Sequence, residues 1–212
     1  MDSVHEDFQQ ASRYVVGIDL GTTNSAVACI DTSQTSPEVE NFPVMQVVAA
    51  GEQQHREVLP SFLYEPTGQE FAPDALRLPW QTTSPQTVVG AFARDHGASV
   101  PGRLVVSAKS WLSHPGVDRT AAVLPWHAAA DAPRMSPVDA TAQYLGHVRE
   151  AWNHAHEHDP LEKQDVIITV PASFDEVARE LTVEAASRAG LNRVVLLEEP
   201  QSAFYAWIHR HH

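Results

Sequence analysis

The stretch Asp19-Leu20-Gly21-Thr22-Thr23-Asn24 stands between two short apolar runs, Tyr14 to Leu20 leading into it and Ser25 to Ile30 leading out. Both runs are rich in β-prone residues, so they predict two strands joined at a polar tip, a hairpin with an unusual turn. The tip sets a carboxylate at a strand end, then a glycine that lets the backbone approach a ligand closely, then two hydroxyls. Such a turn aims successive N–H groups, together with Thr22, Thr23 and Asn24, at phosphate oxygens. Asp19 then accepts from the water shell of a bound Mg²⁺, an ion that dehydrates reluctantly. No G-x-x-x-x-G-K-[ST] occurs anywhere, so the grip is made by a hairpin and not at a helix N-terminus. On its own residues the tip serves equally as a polar β-turn with Asp and Thr as turn formers.

Outward from the hairpin, Asp31 to Pro37 is rich in turn residues, Val44 to Ala50 predicts a third strand, and Leu59 to Tyr64 a further short one. Prolines break the pattern from Pro66 to Pro101, which reads as loops over the surface with one modest helix near Val88 to Asp95. Ser107 to Ser113 predicts a short helix. Ser136-Pro137-Val138-Asp139 is a helix start, with Ser as N-cap and Pro in the first turn, and Val138, Ala142, Leu145, Val148 and Trp152 recur at helical spacing as far as about His156. Asp165 to Val170 predicts a strand, Phe174 to Ala189 a helix closed by Gly190, Arg193 to Leu197 a strand, and Pro200 onward a helix. A β-meander followed by alternating β and α elements is the α/β class, a mixed sheet covered by helices. The last helix meets His212 with no capping glycine or polar tail, which reads as an interrupted chain.

Composition sets outer limits. The 212 residues are 43 % apolar and 19 % charged, as in ordinary globular proteins, and long enough for a substantial core. No apolar run approaches the roughly 18 to 20 residues of a membrane-spanning helix. Residues 1–12 form a polar leader with Asp2, Glu6 and Asp7 and no apolar segment, so neither a secretory nor a transit signal is read there, and a soluble, cytoplasmic protein is expected. A net charge of -13 argues against a nucleic-acid surface, which demands clustered Lys and Arg. The single cysteine, Cys29, rules out an internal disulfide and reads as a small buried residue. His154, His156 and His158 crowd one helix end and His209, His211 and His212 the terminus, but the set lacks a convincing third ligand, and a solvated helix end explains it better.

Three further segments agree with one family in the same order. Val16 to Ser25, Val170-Pro171-Ala172-Ser173-Phe174 continuing through Arg179 to Ala189-Gly190-Leu191-Asn192, and Glu198-Glu199-Pro200-Gln201-Ser202-Ala203 resemble the corresponding blocks of the heat shock protein 70 (DnaK-type) chaperones. The resemblance implies the ribonuclease H-like, actin-like ATPase fold, with residues 13–212 forming its amino-terminal lobe, lobe I only. It implies ATP or ADP with Mg²⁺ as cofactors and, through regions this sequence does not contain, unfolded or client proteins and co-chaperones as partners. Ser107-Ala108-Lys109-Ser110-Trp111-Leu112 sits where the family keeps its catalytic lysine. By the same carry-over Lys109 would touch the γ-phosphate, Glu199 would orient water or metal, Asp19 would complete the catalytic set, and Glu198 would be incidental. Read without the family, Lys109 is a solvated lysine on a helix surface. Pro171 and Arg179 match positions that relay nucleotide state between domains, although a proline ending a strand and an arginine on a helix need no such role.

The departures point to a divergent branch. Ser173 stands where the family has an aromatic residue, Gln201-Ser202 replaces Thr-Ala, residues 39–101 diverge most, and Trp80, Trp111, Trp126, Trp152 and Trp207 are foreign to the general pattern. The family's second phosphate hairpin, adenosine-binding segment and peptide-binding domain have no counterpart here. The sequence therefore reads as half of an ATP cleft, inactive by itself and hydrolytic in a longer parent. Two other readings stay open: a nucleotide-binding or docking module without turnover, and a sugar or metabolite kinase of the same fold.

Overall fold

In the computed structural model, residues 12–68, 70–128 and 132–211 are described. Apart from Ser12, the polar leader lies outside them, as does His212. In chain order the elements are β1 (Tyr14–Asp19), β2 (Asn24–Asp31), β3 (Glu40–Asn41), β4 (Val44–Ala49), β5 (Glu52–Arg56), β6 (Leu59–Pro60), β7 (Phe62–Tyr64) and β8 (Val88–Val89). There follow α1 (Ala91–Gly97), β9 (Leu104–Val106), α2 (Ala108–Leu112), α3 (Pro137–Ala155), β10 (Asp165–Val170), α4 (Glu176–Arg188), β11 (Val194–Glu198) and α5 (Glu199–His211).

The main sheet runs β11-β10-β1-β2-β3, with β6 paired to the start of β2. β1, β10 and β11 are parallel, and β2 turns back against β1 with Gly17 opposite Ala28. The parallel pair β1 and β10 joins segments far apart in sequence, with Gly17 opposite Ile167. Side chains alternate across a strand, and here the alternation separates two unlike faces. Val16 and Ile18 of β1 and Val166 and Ile168 of β10 are buried in one cluster with Tyr144, Leu145, Val148 and Trp152, so α3 covers that face. Gly17, Ala28 and Ile167 point the other way and are only half-buried, with α5 lying beside β10 and β11.

Local chemistry explains the helices. Ser136 accepts from the Asp139 N–H at 3.0 Å and donates to the Asp139 carboxylate at 2.7 Å, a reciprocal cap that starts α3 where the Ser-Pro pair predicts it. Asp175, not Phe174, caps α4, accepting from the Ala178 N–H at 2.8 Å. That helix ends in a Schellman motif, with Leu191 N–H to Ala186 O at 2.8 Å, Gly190 N–H to Ser187 O at 2.9 Å and Gly190 at φ 85°. Trp152, foreign to the general family pattern, is fully buried; its indole donates to Asp159 O at 2.9 Å and its ring stacks on His156 at 4.0 Å. Cys29 is half-buried against the same core.

The structure corrects the reading of residues 66–101. They are more than loops over a surface, because Leu76, Leu78, Val88, Phe92 and Ala93 are buried with Val47 and Tyr64 in a second cluster. The proline-broken pieces are each too short to show a period, yet together they close a small core around β7, β8, β9 and α1. The third strand, β4, stays out of the main sheet and folds back on β5 through Gly51, a hairpin the sequence did not announce. Leu59 to Tyr64 is divided between two sheets, β6 pairing with β2 and β7 with β8 and β9. No helix among the described residues is long and apolar enough to cross a membrane.

Candidate functional site

The Asp19–Asn24 tip is tight. Gly21 N–H donates back to Asp19 O at 3.1 Å, and a Cβ on Gly21 would lie 2.0 Å from the Asn24 carbonyl oxygen, so only glycine fits. A neighbouring segment holds this turn in place. The Ser61 hydroxyl donates to Gly21 O at 2.8 Å and meets the Ser25 hydroxyl at 3.1 Å, while Ser61 N–H donates to Thr23 O at 2.9 Å. Tyr144 of α3 donates its hydroxyl to Ser61 O at 3.0 Å, tying the tip to the core. Asp19, Thr22, Thr23 and Asn24 are exposed, so the carboxylate and hydroxyls face outward from a rigid base.

Asp19 is oriented from β10, where Thr169 Oγ1 donates to Asp19 Oδ1 at 2.6 Å. A cavity of about 280 Å³ opens beside this pair and includes Asp19, Thr169, Leu197 and Ser202. The carboxyl ends of three adjacent parallel strands thus carry Asp19, Val170 and Glu198, with Ile18 paired to Ile168 and Val170 to Glu198. That edge is where open α/β sheets place ligands.

Lys109 is no solvated surface lysine. Its side chain is 5 % exposed, and Nζ donates to Glu199 Oε1 at 2.5 Å, with Glu199 itself 44 % exposed. The ammonium is sealed while the carboxylate reaches the open, and the Phe174 ring lies 5.9 Å from Nζ. Such a charge withdrawn from water needs a partner, because the desolvation cost is otherwise uncompensated. Ser107 precedes α2 in the left-handed region at φ 55°, a conformation costly for a residue with a side chain. Among the described residues no hydrogen bond joins Asp19 to Lys109 or Glu199, so the structure builds two pairs, Asp19–Thr169 and Lys109–Glu199.

Pro171 follows β10 directly and is half-buried. Arg179 donates from Nη2 to Glu198 Oε1 at 2.8 Å and from Nε to Phe174 O at 3.3 Å. Glu198, expected to be incidental, therefore has a partner of its own, and that ion pair sits one residue from Glu199. Ser61 and Thr169 had no signal that would single them out, because their partners Gly21 and Asp19 lie 40 and 150 residues away.

Comparison with known proteins gives the family. The family model described as Hsp70 protein matches residues 15–207. Proteins named chaperone protein HscA homolog are similar over 205 residues: that of Bordetella petrii is 32 % identical, that of Cupriavidus pinatubonensis 32 %, and that of Laribacter hongkongensis 32 %. Each match covers 92 % of this chain and 28 % of the relative, so the chain spans less than a third of their length. With a family model across nearly the whole chain and relatives at this identity, the chain belongs to the Hsp70 family.

Proposed function

We propose that residues 13–212 form the ribonuclease H-like first lobe of a chaperone ATPase domain, gripping the phosphates of ATP or ADP at the Asp19–Asn24 hairpin. The observation that carries this reading is the buried Lys109 ammonium paired to Glu199 at 2.5 Å, at the same strand-end edge as the Thr169-held Asp19. A sheet of order β11-β10-β1-β2-β3 with β2 reversed supports the fold part of the proposal.

The donor set fits magnesium nucleotide. Asp19 offers an exposed carboxylate for the water shell of a hard cation, and Gly21, Thr22, Thr23 and Asn24 present a close backbone and polar side chains to phosphate oxygens. When bound, Mg²⁺ offsets the charge that builds on those oxygens during phosphoryl transfer. Lys109 contributes a fixed positive charge near the γ-phosphate, and Glu199, half-exposed, orients the attacking water and accepts its hydrogen bond. Thr169 and Ser61 hold the hairpin tip still, at Asp19 and at Gly21. Pro171, Arg179 and Glu198 link the end of β10 to the residue beside Glu199, and we assign to them the relay between site and neighbouring domain.

In the longer parent this lobe serves ATP-driven handling of unfolded or client proteins with co-chaperones, in the cytoplasm. The 212-residue chain alone leaves the phosphate grip open on one side, so the γ-phosphate is incompletely surrounded and no turnover is expected from it. Phosphate release from ATP tests this. The full in-frame product should hydrolyse ATP, Lys109→Ala should lower its kcat at least about 100-fold, equivalent to roughly 2.7 kcal/mol, and the 212-residue chain should match the buffer blank. Turnover by that chain, or full activity in the Lys109→Ala product, would sink the reading. Phosphorylation of glucose or glycerol by the same product would replace it with a sugar kinase.

A further inference from the structure

Two consecutive residues of α3 are hard to explain by packing alone, and both line one cavity of about 670 Å³, which shares no residue with the Asp19 cavity. Gly146 stands midway along the helix, where glycine is less favourable than alanine, yet a Cβ there would meet nothing within 4 Å. Contacts within the chain therefore do not require a glycine. His147 is 8 % exposed, and its Nε2 donates to Met45 O at 2.9 Å. A ring that donates there carries its proton on Nε2, which leaves Nδ1 as an acceptor. Burial pulls the pKa down to about 4, so the ring is neutral at pH 7. Among the described residues Glu65 Oε2 is the one polar side-chain atom that is both partnerless and closed off from solvent. Nδ1, also without a partner, is thus reachable from the cavity that His147 lines.

Such a nitrogen takes a hydroxyl or N–H donor, and the bare glycine beside it lets a ligand close on the helix. The rest of the wall decides the class. Its charged groups are already engaged: Arg188 with Asp139 and Glu184, Arg149 with Ala189 O at 2.6 Å, and Glu150 with the Trp80 indole at 2.9 Å. What remains is uncharged, the hydroxyls of Thr82, Thr83 and Ser84 and the amides of Gln86 and Gln143, with Trp80 as the largest apolar side chain. Hydroxyls and amides both donate and accept, as a ligand hydroxyl does and an N–H does not. The volume is in the range of small-molecule sites. We propose that this cavity binds a neutral sugar, lying over Gly146 with one hydroxyl donating to His147 Nδ1. The site is independent of the nucleotide proposal, and neither stands or falls with the other.

Calorimetric titration of the full 212-residue chain with D-glucose tests the proposal, with D-glucuronate, D-glucosamine and cyclohexanol as anionic, cationic and single-hydroxyl comparators. Glucose should bind, and each comparator should bind at least tenfold more weakly. Gly146→Leu, which favours the helix and fills the open space over the glycine, should weaken glucose tenfold or more with the circular dichroism unchanged. At saturating glucose the ¹⁵N resonance of His147 Nδ1 should move upfield, the response of an imidazole nitrogen that accepts a hydrogen bond, and this decides the matter if Gly146→Leu fails to fold. Saturating MgADP should leave the affinity as it was. No binding of glucose, equal binding of a comparator, unchanged affinity in folded Gly146→Leu, or an unmoved Nδ1 resonance would each overturn the assignment. Displacement by MgADP would overturn it as well, placing the sugar at the hairpin tip instead.

Discussion

Thr169 and His147 show how single side chains are set by neighbours far along the chain. Thr169 donates to Asp19 at 2.6 Å, and its removal leaves the carboxylate free to rotate. Thr169→Val keeps the shape and removes the donor. It should weaken Mg²⁺-dependent ADP binding by the full in-frame product about tenfold, roughly 1.4 kcal/mol, with Thr169→Ser restoring it, as measured by titration with and without the metal. His147 is buried on α3 and donates from Nε2 to Met45 O at 2.9 Å. Burial pulls its pKa down to about 4, with the bond to Met45 O acting weakly the other way. The unfolded chain takes up that proton near pH 6.5 and the folded chain only near 4, so protonation favours unfolding. The contribution is whole above about pH 6.5 and is lost as pH falls towards 4, at about 1.4 kcal/mol per pH unit at most. Urea unfolding at pH 7, 6, 5 and 4 should show that slope, and His147→Gln, which keeps an N–H donor, should flatten it.

Elements are where the sequence speaks most directly. The Ser136 cap, the Asp19–Asn24 tip and the Gly190 stop are each decided within a few residues, which is why they read correctly before any tertiary contact is known. Gly190 carries a further constraint that no local rule contains. At φ 85° a side chain is strained, and a Cβ there would also lie 2.2 Å from Arg149 Nη1, whose guanidinium donates to Ala189 O at 2.6 Å. Gly190→Ala should therefore cost more than the roughly 1 kcal/mol of backbone strain alone, about 2 kcal/mol by chemical denaturation, and Arg149→Ala should recover part of it in a double-mutant cycle. Where elements are short and proline-broken, as from β7 to α1, periodicity has too few residues to show itself, and the second core around Tyr64 and Phe92 stayed hidden.

At the scale of the whole molecule the two faces of the sheet have unlike roles. Trp152 is fully buried under the face that α3 covers, whereas α5 has no buried residue and shows Phe204, Tyr205 and Trp207 at 58, 58 and 56 % exposure. Trp152→Ala should cost about 3 to 5 kcal/mol, while Phe204→Ser with Trp207→Ser should change stability by less than about 1 kcal/mol, both read from denaturant midpoints. The sequence by itself determined the family, the α/β class, the tight Asp19–Asn24 hairpin tip and most helix ends, because turns, caps and short motifs are written in adjacent residues. It also picked out Lys109 and Glu199, but as separate letters. Only the tertiary structure decided that these two form a pair across 90 residues, that Lys109 is sealed from water, and that Thr169 and Ser61 hold the loop. Burial and pairing between distant segments depend on how the sheet is ordered, and strand order follows from packing the whole chain at once.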